Sequence, residues 1–301
     1  MKEEKFIFSP ENLSKYWKIL NNSNNPNERK LANSFLSEFK KNCPNSLEIS
    51  MTLFSSESIE DKLISSILIY QYIQDNPKKI LKDKDLFNRL KDYVLNNILI
   101  PYTKTQENVE TENTINSKTN LIIERICYTM SILIILGCSS HWPDAIDNML
   151  SFGKQTLKHT YLMTIIFGNI NNELKNLFLP KKNEFMVKTK FLEKKDEFKN
   201  FINTIFINTK NIDKKLFKKT VDLAKNFTSF EVNILQIPNL IKIILEDMNS
   251  SNIDSLSELL CESINSSKSR KIEENSDLNI NEYDNKIDKD ELISFNYIID
   301  I

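Results

Sequence analysis

Three glycines in 301 residues (Gly137, Gly153 and Gly168) constrain this chain more than any other feature. A dinucleotide fingerprint needs three glycines within six positions, so that the backbone can turn tightly and approach a pyrophosphate. These three are too widely spaced for that or for a phosphate-cradling loop. Sandwiches and barrels of β-strands need glycine-bearing turns throughout. A protein of long helices needs few, because glycine costs about 1 kcal/mol inside a helix. The chain therefore reads as all-α. With 40% hydrophobic residues and 18 Phe it has the apolar material for a continuous core.

The prolines punctuate this reading. Pro10 follows Ser9, and Pro26 and Pro77 follow Asn25 and Asn76, the usual order at a helix start. Between such marks the apolar residues recur at three and four positions. The spacing predicts six helix pairs: 10–21 with 27–41, 45–54 with 58–75, 83–98 with 121–136, 142–152 with 157–167, 190–208 with 213–227, and 232–249 with 253–264. In the second helix Leu31, Phe35, Leu36 and Phe39 form one apolar face. Gly137 reads as a left-handed cap, and the helices ending at Phe152 and Phe167 each meet a glycine at once. Pairs recurring every 35–50 or so residues are the mark of an α-α superhelix, a HEAT-repeat or armadillo-like solenoid. One pair cannot hide its own apolar face, and stacking hides it. An irregular all-α globule is the alternative.

This gives an N-terminal repeat region over 1–265. Residues 103–119 (TKTQENVETENTINSKT) are polar and aperiodic, a disordered insertion between the helices of the third pair. Residues 266–290 form a polar linker, and 291–301 open a further helix that stops short. Lysines outnumber acids between Lys181 and Lys225, whereas the tail beyond Lys271 is acidic, an asymmetry compatible with an electrostatic partner surface.

Catalytic chemistry is hard to assemble from this inventory. His141 and His159 stand apart from one another and from ligand-spaced cysteines. Cys138 with His141 is the one conceivable dyad, but Cys138 closes an apolar helix and is expected to be buried and inert. The four cysteines form no C-x-x-C pair and read as reduced thiols. No enzyme and no cofactor are expected. A net charge of −1 argues against direct nucleic-acid binding by bulk electrostatics. The most apolar run, 126–138, falls short of the roughly 20 residues that cross a bilayer, so no membrane insertion is expected. By elimination, function should reside in an extended surface.

Four stretches, NNPNERKLANSFLSEFKKN (24–42), IEDKLISSILIYQYIQD (59–75), LIIERICYTMSILIILGCSSHWPDAIDNMLSF (121–152) and YLMTIIFGNINNEL (161–174), in this order and spacing, carry a resemblance. Residues 1–265 resemble the N-terminal part of an importin-β-superfamily nuclear transport receptor, nearest the importin-13 and transportin-3 branch. Ala32, Leu36 and Phe39, then Ile64 with Ser65 and Ser66, then Trp142 match that branch. Asn45-Ser46, Tyr70 and Tyr72 depart from it. The resemblance implies binding of the small GTPase Ran in its GTP form on concave B helices, contact with Phe-Gly nucleoporins through outer A helices, and carriage of protein cargo. It also implies shuttling between nucleus and cytoplasm. Asp61, Lys62, Gln71, Glu124 and Arg125, polar positions on predicted B helices, are the candidate Ran contacts. Trp17 and Trp142 read as packing anchors. The family's greater repeat number implies that this chain is the N-terminal portion of a longer receptor or a truncated gene model. A HEAT-type scaffold unrelated to transport is the second reading.

Overall fold

A computed structural model describes residues 6–104, 117–209 and 214–228. Among them the chain is all-helical, with no strand. Thirteen α-helices follow one another: α1 (Pro10–Asn22), α2 (Pro26–Asn42), α3 (Ser46–Phe54), α4 (Ile59–Asp75), α5 (Pro77–Lys82), α6 (Lys84–Asp92), α7 (Ile100–Lys104), α8 (Ser117–Cys138), α9 (Ala145–Gly153), α10 (Leu157–Asn176), α11 (Lys181–Glu193), α12 (Lys195–Thr209) and α13 (Lys214–Thr228). A π-helical segment, Tyr93–Leu99, joins α6 to α7. The sixth predicted pair, the 266–290 linker and the 291–301 helix lie outside the described residues, as does most of the 103–119 insertion.

Short polar side chains start these helices. Ser9, Asn25, Ser58, Asp83 and Thr156 each accept a hydrogen bond from an N–H in the first turn of the following helix, filling donors that have no partner inside the helix. Pro10, Pro26 and Pro77 occupy the first helical position, where a missing N–H costs nothing.

The chain divides into two compact units, Met1–Leu136 and Gly137–Ile301. In the first, α1 packs on α2 and α3 on α4, around Leu13, Phe35, Leu36, Phe39, Leu53, Ile64 and Leu68. Leu31 stands outside this face, 41% exposed, and the buried stripe of α2 is Ala32, Phe35, Leu36 and Phe39. Trp17 packs against the cluster as an anchor.

Polar and charged contacts join successive hairpins. Ser14 of α1 meets Asp61 of α4. Arg89 of α6 reaches Glu48 of α3 at 2.8 Å, and Tyr93 donates to the Met51 carbonyl at 2.8 Å. The last two pairings advance together along both helices, so the A helices of successive hairpins run parallel, 41 and 42 residues apart. The B helices do likewise: Lys118 meets Glu60, and Arg125 lies over Tyr70. Their larger separation contains the polar insertion.

The second unit repeats the arrangement. Helix α12 packs antiparallel to α13, with Phe198 against Phe227 and Phe206 against Phe217. Across hairpins, Lys194 binds Asp147 at 2.6 Å, and a Cβ on Gly153 would lie 3.3 Å from Phe201 Cζ. These offsets are 47 and 48 residues, at the upper end of the period of about 40–47 that armadillo and HEAT units show. Gly168 provides the matching contact between α10 and α13: its hypothetical Cβ would sit 3.6 Å from Leu223 Cα.

Several boundaries differ from the sequence reading. Helix α8 continues through Gly137, which is therefore no left-handed cap; its carbonyl accepts from Ser140 and Trp142 as the chain folds back. Gly168 sits inside α10, serving close approach and not termination. Trp142 precedes α9 instead of opening it, but is buried as an anchor. The predicted helix 190–208 is two helices, α11 and α12, broken at Lys194. Phe191 and Phe198 are both fully buried across the break; being seven residues apart they preserve the helical period, so periodicity hides the interruption. The helix expected to end at Ile98 instead passes Pro101. Proline would strike the carbonyl four residues back, and a wider turn, with Ile100 N–H bonded to Leu95 O, carries the helix on to Lys104.

Helix α8 has 22 residues, longer than the apolar run alone indicated, and by length and composition it could cross a membrane. Its Ile126, Met130 and Ile132 through Leu136 are fully enclosed by protein. Thr129 and Ser131 return their hydroxyls to the Arg125 and Cys127 carbonyls, so the buried helix carries satisfied polar groups.

Candidate partner surface

The predicted Ran-contact residues fall on the neighbouring B helices α4 and α8, and the structure distributes them between different roles. Asp61 is 6% exposed. Its carboxylate accepts from Ser14 Oγ at 2.6 Å and from Ser56 Oγ at 3.1 Å. A buried carboxylate without donors would be costly; two hydroxyls supply them here and tie α1 to the start of α4. Asp61 is thus a clamp between hairpins, buried where the expected partner contact needs an exposed side chain. Sequence periodicity missed this because Ser14 lies 47 residues away.

Arg125 is half-buried, and its guanidinium lies 4.8 Å from the Tyr70 ring centre and 5.9 Å from that of Tyr128. Such stacking holds a cation by the ring quadrupole and leaves guanidinium N–H groups in a fixed plane. Tyr70 is in turn fixed from its own helix, where Gln74 donates to its hydroxyl at 3.4 Å. Gln71, on the next position, has its amide oxygen enclosed without a hydrogen-bond partner among the described residues. Lys62 and Glu124 are half-buried. The structure therefore couples Arg125 to Tyr70 beside Gln71 in sequence, and places Asp61 two and a half helical turns away, against α1.

Charge pairs border this face. Lys118 Nζ lies 2.7 Å from Glu60, and that hydrogen bond holds the Glu60 carboxyl below its ordinary range. Lys79 donates to the Tyr72 hydroxyl at 3.0 Å, which raises its pKa. Tyr70, Tyr72 and Tyr128 were not singled out as contacts from the sequence; a tyrosine at helical spacing signals packing as readily as recognition.

The conceivable Cys138–His141 dyad lacks an activated thiol. Cys138 is 2% exposed, and burial pushes its pKa up to about 12 despite Lys190; at neutral pH it stays protonated and unreactive. Among the described residues no three His, Cys, Asp or Glu side chains converge to hold a metal.

No protein-family model matches the chain, and no curated protein matches it.

Proposed function

We propose that the chain is a partner-binding helical-repeat protein of the nuclear transport receptor type, whose B helices α4 and α8 receive Ran in its GTP form. The observation that carries this reading is the offset of 41–48 residues between parallel A helices in both units. Repeats stacked in this way offer a continuous surface of successive B helices, and the Tyr70–Arg125–Tyr128 group supplies residue types favoured at protein interfaces. The order of the sequence stretches resembling that family points to the same partner. On this reading the A helices contact Phe-Gly nucleoporins, protein cargo is carried, and the protein shuttles between nucleus and cytoplasm.

The test is capture of Ran locked with GTP or GDP on the immobilised chain. Preference for the GTP form, weakened in Arg125→Glu, is expected; equal capture of both forms, or of neither, overturns the proposal. A scaffold role outside transport is the second reading. It is favoured by Tyr70 and Tyr72, which replace the polar or basic residues the family carries late in this helix and which are engaged within the chain by Arg125 and Lys79.

A further inference from the structure

The first B helix, α2, carries a face that its own packing does not use. Its buried stripe, Ala32, Phe35, Leu36 and Phe39, lies on one side. At 3.6 residues per turn, Arg29, Lys30, Asn33, Ser34, Ser37, Lys40 and Lys41 fall on the opposite side, and all of them are exposed. No acid and no apolar residue interrupts this arc. The acids of α2 lie on its flanks and are engaged: Glu28 accepts from Ser23 Oγ at 2.6 Å, and Glu38 accepts from Asn42. Among the described residues none of Arg29, Lys30, Lys40 and Lys41 pairs with an acid. Lys40 and Lys41 stand in the last turn, where the helix dipole favours a cation. Arg29 and Lys30 follow the first turn, where the same dipole offers a cation nothing, so the helix itself does not account for them.

A groove of about 560 Å³ runs past Asn24, Arg29, Lys30, Asn33, Ser34 and Ser37. Ser34 donates its hydroxyl proton to the Lys30 carbonyl at 3.0 Å, while Asn33 and Ser37 make no side-chain hydrogen bond among the described residues. Small polar groups thus lie between two pairs of cations. Four cations without an acid call for an anionic occupant. The arc has no apolar side chain to enter a bilayer and no aromatic ring on which a base could stack, so it serves neither a membrane nor a single-stranded nucleic acid. The amide and hydroxyl at its centre can meet the N–H and C=O groups of a peptide. From Lys30 to Lys41 the helix rises about 16 Å, the span of about five extended residues. We infer that α2 receives an extended acidic segment of a partner protein, its carboxylates on Arg29–Lys30 and Lys40–Lys41 and its backbone over Asn33 and Ser37. This inference is independent of the transport reading.

Fluorescence anisotropy of a labelled octaglutamate peptide with the full chain tests it, at about 0.05 M salt so that screening is weak. Affinity should fall at least about tenfold in Arg29→Gln/Lys30→Gln/Lys40→Gln/Lys41→Gln, since four surface charge pairs together exceed one decade in an equilibrium. Removing as many charges from the second unit, in Lys181→Gln/Lys182→Gln/Lys195→Gln/Lys218→Gln, should leave it unchanged. Ser37→Phe keeps every charge and fills the groove; it should weaken binding several-fold, which a diffuse basic surface would not show. All substituted side chains are exposed, so circular dichroism should be unchanged in each variant. Absence of peptide binding overturns the inference, as do equal losses in the two charge variants or undiminished affinity in Ser37→Phe. Tighter α2-dependent binding of octathymidylate or of phosphatidylserine vesicles also overturns it, assigning the face to a nucleic acid or a membrane. So does carbodiimide coupling of Lys30, Lys40 or Lys41 to carboxylates of the same molecule, which would mean that the chain fills this face itself.

Discussion

At the residue scale, two glycines with the same side chain should respond in opposite ways to the same substitution. At Gly153 a Cβ would lie 2.5 Å from Met163 Cγ and 3.3 Å from Phe201 Cζ. Gly153→Ala should therefore destabilise by about 1–3 kcal/mol through overpacking. At Gly168 the nearest atom is Leu223 Cα at 3.6 Å, an ordinary contact; Gly168→Ala should stabilise by about 0.5–1 kcal/mol through helix propensity. Urea midpoints of the two variants check both signs. His159 provides a pH prediction. It is buried against the Phe152 ring, and burial lowers its pKa below 6.5. The unfolded chain then takes up this proton at higher pH than the folded chain, so the contribution of His159 is intact above pH 6.5 and is lost as pH falls below it. His159→Gln should flatten that part of the melting temperature profile between pH 7.5 and pH 5.5 or so. Such effects were not legible in the sequence, where each of these residues has only its spacing to speak for it.

At the scale of elements, helix starts were legible and helix interiors were not. Ser9-Pro10 and Asn25-Pro26 announce α1 and α2 because capping and proline geometry are local. The break at Lys194 was hidden because Phe191 and Phe198 keep the helical period across it. Helix α8 was legible as a buried helix from its apolar run, and Leu133 at its centre is fully buried. Leu133→Asp should cost at least about 3 kcal/mol, an unpaired charge in an apolar site, seen as lost helicity by circular dichroism. The clamp from Asp61 to Ser14 and Ser56 joins α1 to α4. Asp61→Ala should cost about 1–3 kcal/mol and raise amide hydrogen exchange in α1 and α2 before the rest of the first unit, because neighbouring hairpins hold one another in place.

At the scale of the whole molecule, each unit owes its cohesion to apolar contact between hairpins, with ion pairs setting register. In the second unit Phe167, Phe191, Phe198 and Phe227 form one aromatic cluster joining α10 through α13. Phe198→Ala should cost about 3–5 kcal/mol, read as a large drop in urea midpoint. Arg89→Ala, which removes a half-exposed pair with Glu48, should cost about 0–1 kcal/mol. What the sequence determined by itself was the all-helical class and the pairing of α1 with α2, α3 with α4, α9 with α10 and α12 with α13, because glycine scarcity, capping and apolar spacing act within a few residues of one another. Only the tertiary structure decided which side chains those helices spend on each other. It turned Asp61 inward to two serines, set Arg125 between two tyrosines, let α13 approach α10 at Gly168 and left Phe178 and Phe185 in solvent. Each of those outcomes depends on at least one partner about forty residues or more away in the chain (Ser14, Tyr70 and Leu223), or on the absence of one, and a local pattern carries no information about a neighbour that stacking alone brings near.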